Sequence, residues 1–152
     1  MVASRLDAPS EDVWTFVSTM DGVNAELAPY VRMSVPPAFR GSTLADAPIG
    51  QTVFTSTLLA GGLVPFDRHR LRFDSIVPGE GFVERSDSLI ERTWRHERRV
   101  RSSGAHACTI VDQVIFVPRL AWMGPPLLLI VARMFAHRHA SLRARFGGSA
   151  LP

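Results

Sequence analysis

The sequence predicts an α+β fold in which a run of antiparallel strands curves under one long C-terminal helix. Three observations carry this. Residues 123–146 place Gly124-Pro125-Pro126 ahead of the apolar run Leu127 to Ala132 and an Arg/His-rich tail. Proline in a first helical turn gives up no backbone bond, so a helix starts near Pro125. Leu128, Val131, Ala132, Phe135, His139, Leu142 and Phe146 recur at helical spacing as one apolar stripe, opposite Arg133, His137, Ser141 and Arg145. From Gln51 to Pro118 the period drops to two, the mark of half-buried strands. A single helix across a strongly curved sheet leaves space between the layers, and that space is where function is expected.

The elements follow in order. Met1 to Leu6 reads as a short strand. Pro9, with Glu11 and Asp12 in the first turn, opens a helix carrying Val13, Trp14, Phe16 and Val17. Asp21-Gly22 breaks it, Val23 to Leu27 forms a second short helix, and Pro29 stops that one. Val31 to Val35 is a strand, and Phe39 to Gly50 a loop rich in breakers. Thr52 to Leu59 and Phe66 to Val77 are strands, the second with His69, Leu71, Phe73, Ser75 and Val77 inward and Arg68, Arg70, Arg72 and Asp74 outward. Phe82 to Asp87 is next, joined by a loose Ser88 to Glu91 connection to Arg92 to Arg101, where Trp94, His96, Arg98 and Val100 face in. Ser102-Ser103-Gly104 closes a hairpin to Ala105 to Val117.

With 152 residues the chain reads as one domain over 1–152, large enough for a core without disulfides. Hydrophobic residues make up 46% and charged residues 20%, which is globular composition. Cys108 is the only cysteine, so it reads as a small buried hydrophobe, and the start carries no secretory pattern; a cytoplasmic location is expected. Leu120 to Ala132 falls short of the ~20 residues of a spanning helix. Trp122, Met123 and Met134 read as core. No GxGxxG, P-loop, GxSxG or CxxC pattern is present, and no cofactor is expected.

Three passages resemble the START-like ligand-binding superfamily, also called SRPBCC or polyketide-cyclase-like. Ala8-Pro9-Ser10-Glu11-Asp12-Val13-Trp14 is similar to its first helix start. Trp94-Arg95-His96-Glu97-Arg98, followed by Thr109-Ile110-Val111-Asp112 and Pro118, is similar to its W-x-H-x-H … T-x-x-D … P hairpin, with Arg98 in place of the second His. Phe135 to Leu142 is similar to its closing F-x-x-R-x-x-x-L helix. The resemblance implies a helix-grip fold, a curved seven-stranded antiparallel sheet around the long C-terminal helix, with a small hydrophobic lipid-, polyketide- or aromatic-type ligand inside. It also places Asn24 and Glu26 near the ligand portal, where surface helix polarity explains them more simply.

Strand pairing yields a candidate constellation. Closing the hairpin over Ser103-Gly104 sets His96 opposite Asp112, Trp94 opposite Val114 and Cys108 opposite Val100, and a connection centred near Leu89-Ile90 sets Glu84 opposite His96. Glu84, His96 and Asp112 then form a row in which carboxylates orient an imidazole, the usual make-up of a general base or of a ligand-orienting network. An enzyme of cyclase, aromatase or dehydratase type would use His96 as base. The ligand-facing set is His69, Phe73, Trp94, Arg98, Val114, Phe116, Leu128, Val131 and Phe135. His69 with nearby carboxylates comes from separate strands without motif spacing, so no metal is expected. Arg68, Arg70, Arg72, Arg95, Arg99 and Arg101 line the outer sheet face, which raises polyanion binding, RNA or an anionic membrane, as an alternative. Asp74 and Glu97 interrupt those rows and no aromatic residue is interleaved, so a solvated face is the simpler account. A second copy of the chain, as a homodimer, stays open as a partner.

Overall fold

The computed structural model describes every residue from Met1 to Pro152. Eight strands form one open antiparallel sheet: β1 (Val2–Leu6), β2 (Val31–Met33), β3 (Thr52–Ala60), β4 (Val64–Val77), β5 (Gly81–Ser86), β6 (Glu91–Ser102), β7 (Cys108–Pro118) and β8 (Ser149–Leu151). Their spatial order is β2-β3-β4-β5-β6-β7-β1-β8. Helices α1 (Ser10–Val17) and α2 (Met20–Leu27) follow β1, and α3 (Gly124–Phe146) comes after the last long strand. This is the helix-grip α+β arrangement, with one strand more than the expected seven. No helix is long and apolar enough to cross a membrane.

The eighth strand, β8, pairs with β1 through Ala3↔Leu151, Ser4↔Ala150 and Arg5↔Ser149. Three residues carry no period to read. The turn into it needs glycine, because Gly148 has φ 114° and a Cβ there would sit 2.0 Å from the Arg5 carbonyl oxygen. Near this edge lies the main core, where Leu6, Val13, Val17, Val100, Cys108, Ile110 and Leu142 pack together. Burial pushes the Cys108 thiol up, as befits a core residue.

Four local readings change. The short helices divide at Ser18-Thr19, and Asp21-Gly22 belongs to the first turn of α2. The Thr19 side chain accepts from the Gly22 N–H at 3.0 Å, and a Cβ on Gly22 would lie 1.9 Å from the Phe16 carbonyl oxygen. Next, β4 begins at Val64 and accommodates Pro65 beside a register shift between Leu58 and Leu59. A second irregularity lies between Phe73 and Ser75; past it the alternation flips, Ile76 packs inward, and Ser75 and Val77 are exposed. Finally, the β6–β7 hairpin pairs two residues out of the expected register. His96 lies opposite Val114, Arg98 opposite Asp112, Trp94 opposite Phe116 and Ser102 opposite Cys108. The turn spans 103–107, closed by Ser103 N–H to Ala107 C=O at 2.8 Å, rather than closing over Ser103-Gly104. A shift of two preserves which residues face inward, so the site survives the error.

Candidate functional site

The inner faces of β3 to β6, together with α2, α3 and the turns at Pro37–Phe39 and Leu44–Asp46, enclose a cavity of about 300 Å³. Of its 34 lining residues 23 are hydrophobic, so its wall is mainly apolar. Phe54, Leu71, Phe73 and Phe82 form the sheet side, and Leu127, Val131 and Met134 the α3 side. Polar groups gather on β4, β5 and β6: Asp67, His69, Glu84, Glu91 and His96.

Among the residues expected from sequence, His69, Phe73, Glu84, Trp94, His96 and Val131 line the cavity, whereas Arg98, Asp112, Val114, Phe116 and Phe135 do not. Phe135, Val114 and Phe116 pack with Trp94 and Val131 behind the wall. Leu128 is 63% exposed, Ala132 is exposed, and Leu127 takes the inward position. Four consecutive apolar residues, Leu127 to Ile130, fit any helical phase. The phase is set further along, where Arg138, His139 and Leu142 are buried. Trp122 is 72% exposed and is not part of the core.

The buried polar side chains form one connected system. His69 Nε2 donates to Glu84 Oε1 at 2.7 Å, and Ser86 Oγ donates to the same oxygen at 2.6 Å. His96 Nδ1 lies 3.5 Å from Glu84 Oε2, and its Nε2 lies 2.9 Å from Asp112 Oδ1. Glu84, His96 and Asp112 are therefore joined in a row as expected, although Asp112 reaches His96 diagonally. Phe82 and Phe135 stand edge-on to the His96 ring at 5.1 and 5.0 Å. Asp112 continues to Arg98 at 2.8 and 2.7 Å and to His139 at 3.1 Å, and His139 lies 2.9 Å from Ser4.

Arg98, at 0% exposure, donates through both terminal nitrogens to Glu26 at 2.8 Å, and Arg138 donates to Glu26 at 2.9 Å. Glu26 is thus an internal counter-ion and not a surface residue at a portal. A signal for it was present: Val23, Glu26 and Leu27 share one helical face, and an inward Arg98 demands a carboxylate. Asn24 is structural, its amide bonding both backbone groups of Met33. Also unforeseen were Asp67 and Glu91, which hold the β5–β6 connection. Asp67 Oδ1 accepts from Leu89 N–H at 3.0 Å, and Glu91 Oε2 accepts from Ser88 Oγ at 2.7 Å.

Protonation follows from these partners. Burial opposes charge on Glu84, but the hydrogen bonds from His69 and His96 outweigh it and hold the carboxyl far below its ordinary range. Burial pulls His69 down, and its bond to Glu84 and that carboxylate's charge raise it above its ordinary value. For Glu26, burial is outweighed by Arg138 and Arg98; for Asp112, by Arg98 above all, so both carboxyls are lowered. Glu91 goes the other way: burial raises it, and Asp67 adds to the rise against the bond from Ser88.

The fold is the START-like helix-grip fold. The chain belongs to the family described as a domain of unknown function (DUF8410), whose model matches residues 4–146. Solved structures with the same fold include a Chromobacterium violaceum protein, 17% identical, covering 98% of this chain and 100% of its own, with TM-score 0.64. A START superfamily protein from Mycobacterium smegmatis is 10% identical over 95% of this chain and 93% of its own, TM-score 0.65. The Zhui aromatase/cyclase from Streptomyces is 16% identical over 94% and 89%, TM-score 0.65. None of the curated proteins matches the chain.

Proposed function

We propose that the protein binds a small hydrophobic molecule, of lipid, polyketide or aromatic type, in the cavity between the sheet and α3. The observation that carries this is the cavity itself: about 300 Å³, lined mainly by apolar side chains, with a few polar groups collected on one wall. That combination is the usual make-up of a small-molecule site. An apolar fluorescent probe titrated into the protein is expected to saturate at one site. Val131→Trp, which places an indole in the cavity, is expected to remove at least nine-tenths of the probe signal at a folding cost of about 1–3 kcal/mol. Unchanged probe binding in a folded Val131→Trp protein would place the probe elsewhere.

A second reading, proton-transfer chemistry of cyclase, aromatase or dehydratase type, is favoured by one observation. Glu84 sits between two imidazoles, and His69 Nδ1 has no protein partner while its residue lines the cavity. His96, by contrast, has both ring nitrogens against carboxylates, so its part is to position Glu84 rather than to meet a ligand. Cyclisation or dehydration of a polyketide mimic that survives both His69→Gln and His96→Gln would remove this reading.

Of the six outer arginines, Arg70, Arg72, Arg95 and Arg99 have carboxylate partners while Arg68 and Arg101 have none, which favours a solvated face over a polyanion surface. Arg70 is paired with Asp87 at 2.6 Å and Arg85 with Asp74 at 2.6 Å, while Arg95 and Arg99 both pair with Glu97. Retention on RNA or anionic vesicles is therefore expected to vanish at physiological salt.

A further inference from the structure

Five carboxylates are buried in this chain: Glu26, Asp67, Glu84, Glu91 and Asp112. Three have cationic partners within 4 Å: Glu26 has Arg98 and Arg138, Asp112 has Arg98, and Glu84 has His69. Asp67 and Glu91 have none, although they are only 4% and 8% exposed, and both line the cavity. Their hydrogen bonds use one oxygen each. Asp67 Oδ1 takes the Arg68 and Leu89 N–H groups, and Glu91 Oε2 takes Ser88 Oγ, so Asp67 Oδ2 and Glu91 Oε1 remain unbonded. No enclosed side-chain polar atom in the chain lacks a partner, so these two oxygens keep open surface, and both residues line the cavity. Both acids are tied to the same short stretch, Ser88-Leu89, and their free oxygens therefore belong to one end of the wall.

Leaving a carboxylate buried without a countercharge is costly, and proteins either pair such a group or let a ligand complete it. The cations on the cavity wall do not complete these two. His69 is bound to Glu84 and Arg138 to Glu26. Building on the cavity-binding reading, we propose that the ligand is an apolar amine whose ammonium group seats against Asp67 and Glu91 while its hydrocarbon body lies along Phe54, Leu71 and Trp94. An alcohol would satisfy an oxygen but not the charge, and a carboxylate would be repelled. Burial and Asp67 push the Glu91 carboxyl up, and the Ser88 bond and the charge of His69, itself bonded to Glu84, offset only part of that push.

The test uses three matched probes on the full chain, by calorimetric titration at neutral pH: naphthylmethylamine, which is charged there, naphthylmethanol and naphthoate. The amine is expected to bind roughly tenfold or more tighter than the alcohol, the worth of a charge-assisted bond in a dry site, with naphthoate weakest. Asp67→Asn should bring the amine to within about threefold of the alcohol, the amine losing more affinity than the alcohol. Glu91→Gln gives the same readout if the first variant fails to fold. Alcohol binding as tight as amine binding overturns the amine assignment and leaves the cavity reading standing. Failure of all three probes to bind overturns both.

Discussion

Arg98→Leu is expected to destabilise the protein by about 3–5 kcal/mol, because it strands Glu26 and Asp112 as buried charges short of their main partner. For a chain of this size that amounts to a drop in Tm of roughly 6–20 °C. The neighbouring arginine is the control. Arg99 lies on the outer sheet face, exposed and paired with Glu97, so Arg99→Leu is expected to change stability by no more than about 0.5 kcal/mol. Urea unfolding of both variants separates the cases. Glu26→Gln combined with Arg98→Leu should cost less than the sum of the single changes, with a coupling energy on the order of 1–3 kcal/mol, because the two groups share a bidentate contact. A cost under about 1 kcal/mol for Arg98→Leu would mean that water reaches the pair and that α2 is not locked to the sheet through it.

The alternation of Arg92 to Arg101 placed Trp94, His96, Arg98 and Val100 inward, and all four are buried. That inference was robust because a period of two depends only on local pleating, and the two-residue hairpin error left it intact. Register itself depends on the turn, and Ser102 to Ala107 offers several places to close it. The α3 phase failed for the opposite reason: too many apolar residues in a row leave helical spacing undetermined, and burial of Arg138 decides it. Glu26, Asp67 and Glu91 escaped because a carboxylate on a short helix or beside a loop looks like surface until its partners across the fold are known. Glu26 meets Arg98 across 72 residues of sequence, and no spacing rule spans such a distance. His69 was placed on the right face, but its bond to Glu84 required knowing that Phe73 pairs with Glu84 and that the β4 alternation breaks only past Phe73.

The buried charges also fix how stability varies with pH. Glu26, Glu84 and Asp112 have folded values below the ordinary 4.5, 4.5 and 3.8, so the stability they contribute is fully present above those ordinary values and is lost as pH falls toward the folded ones. His69 is raised above its ordinary 6.5, so its contribution is full below 6.5 and is lost as pH climbs through the raised folded value. Glu91 is raised above 4.5, so it lowers stability as pH climbs from 4.5 through its own folded value, in the same direction as His69. Stability is therefore expected to peak between about pH 4.5 and 6.5 and to decline on both sides. Thermal melts across pH 3 to 9 check this, read on the wild type and on two variants. His69→Gln should flatten the alkaline decline and also make the acid limb shallower, because Glu84 loses the imidazolium that lowers it, while Glu26 and Asp112 keep the rest of that limb. Glu26→Gln should make the acid limb shallower and leave the alkaline side unchanged. An alkaline decline that persists undiminished in both His69→Gln and Glu91→Gln would mean that neither group is the source, and that the imidazole beside Glu84 is not held as a cation in the folded protein.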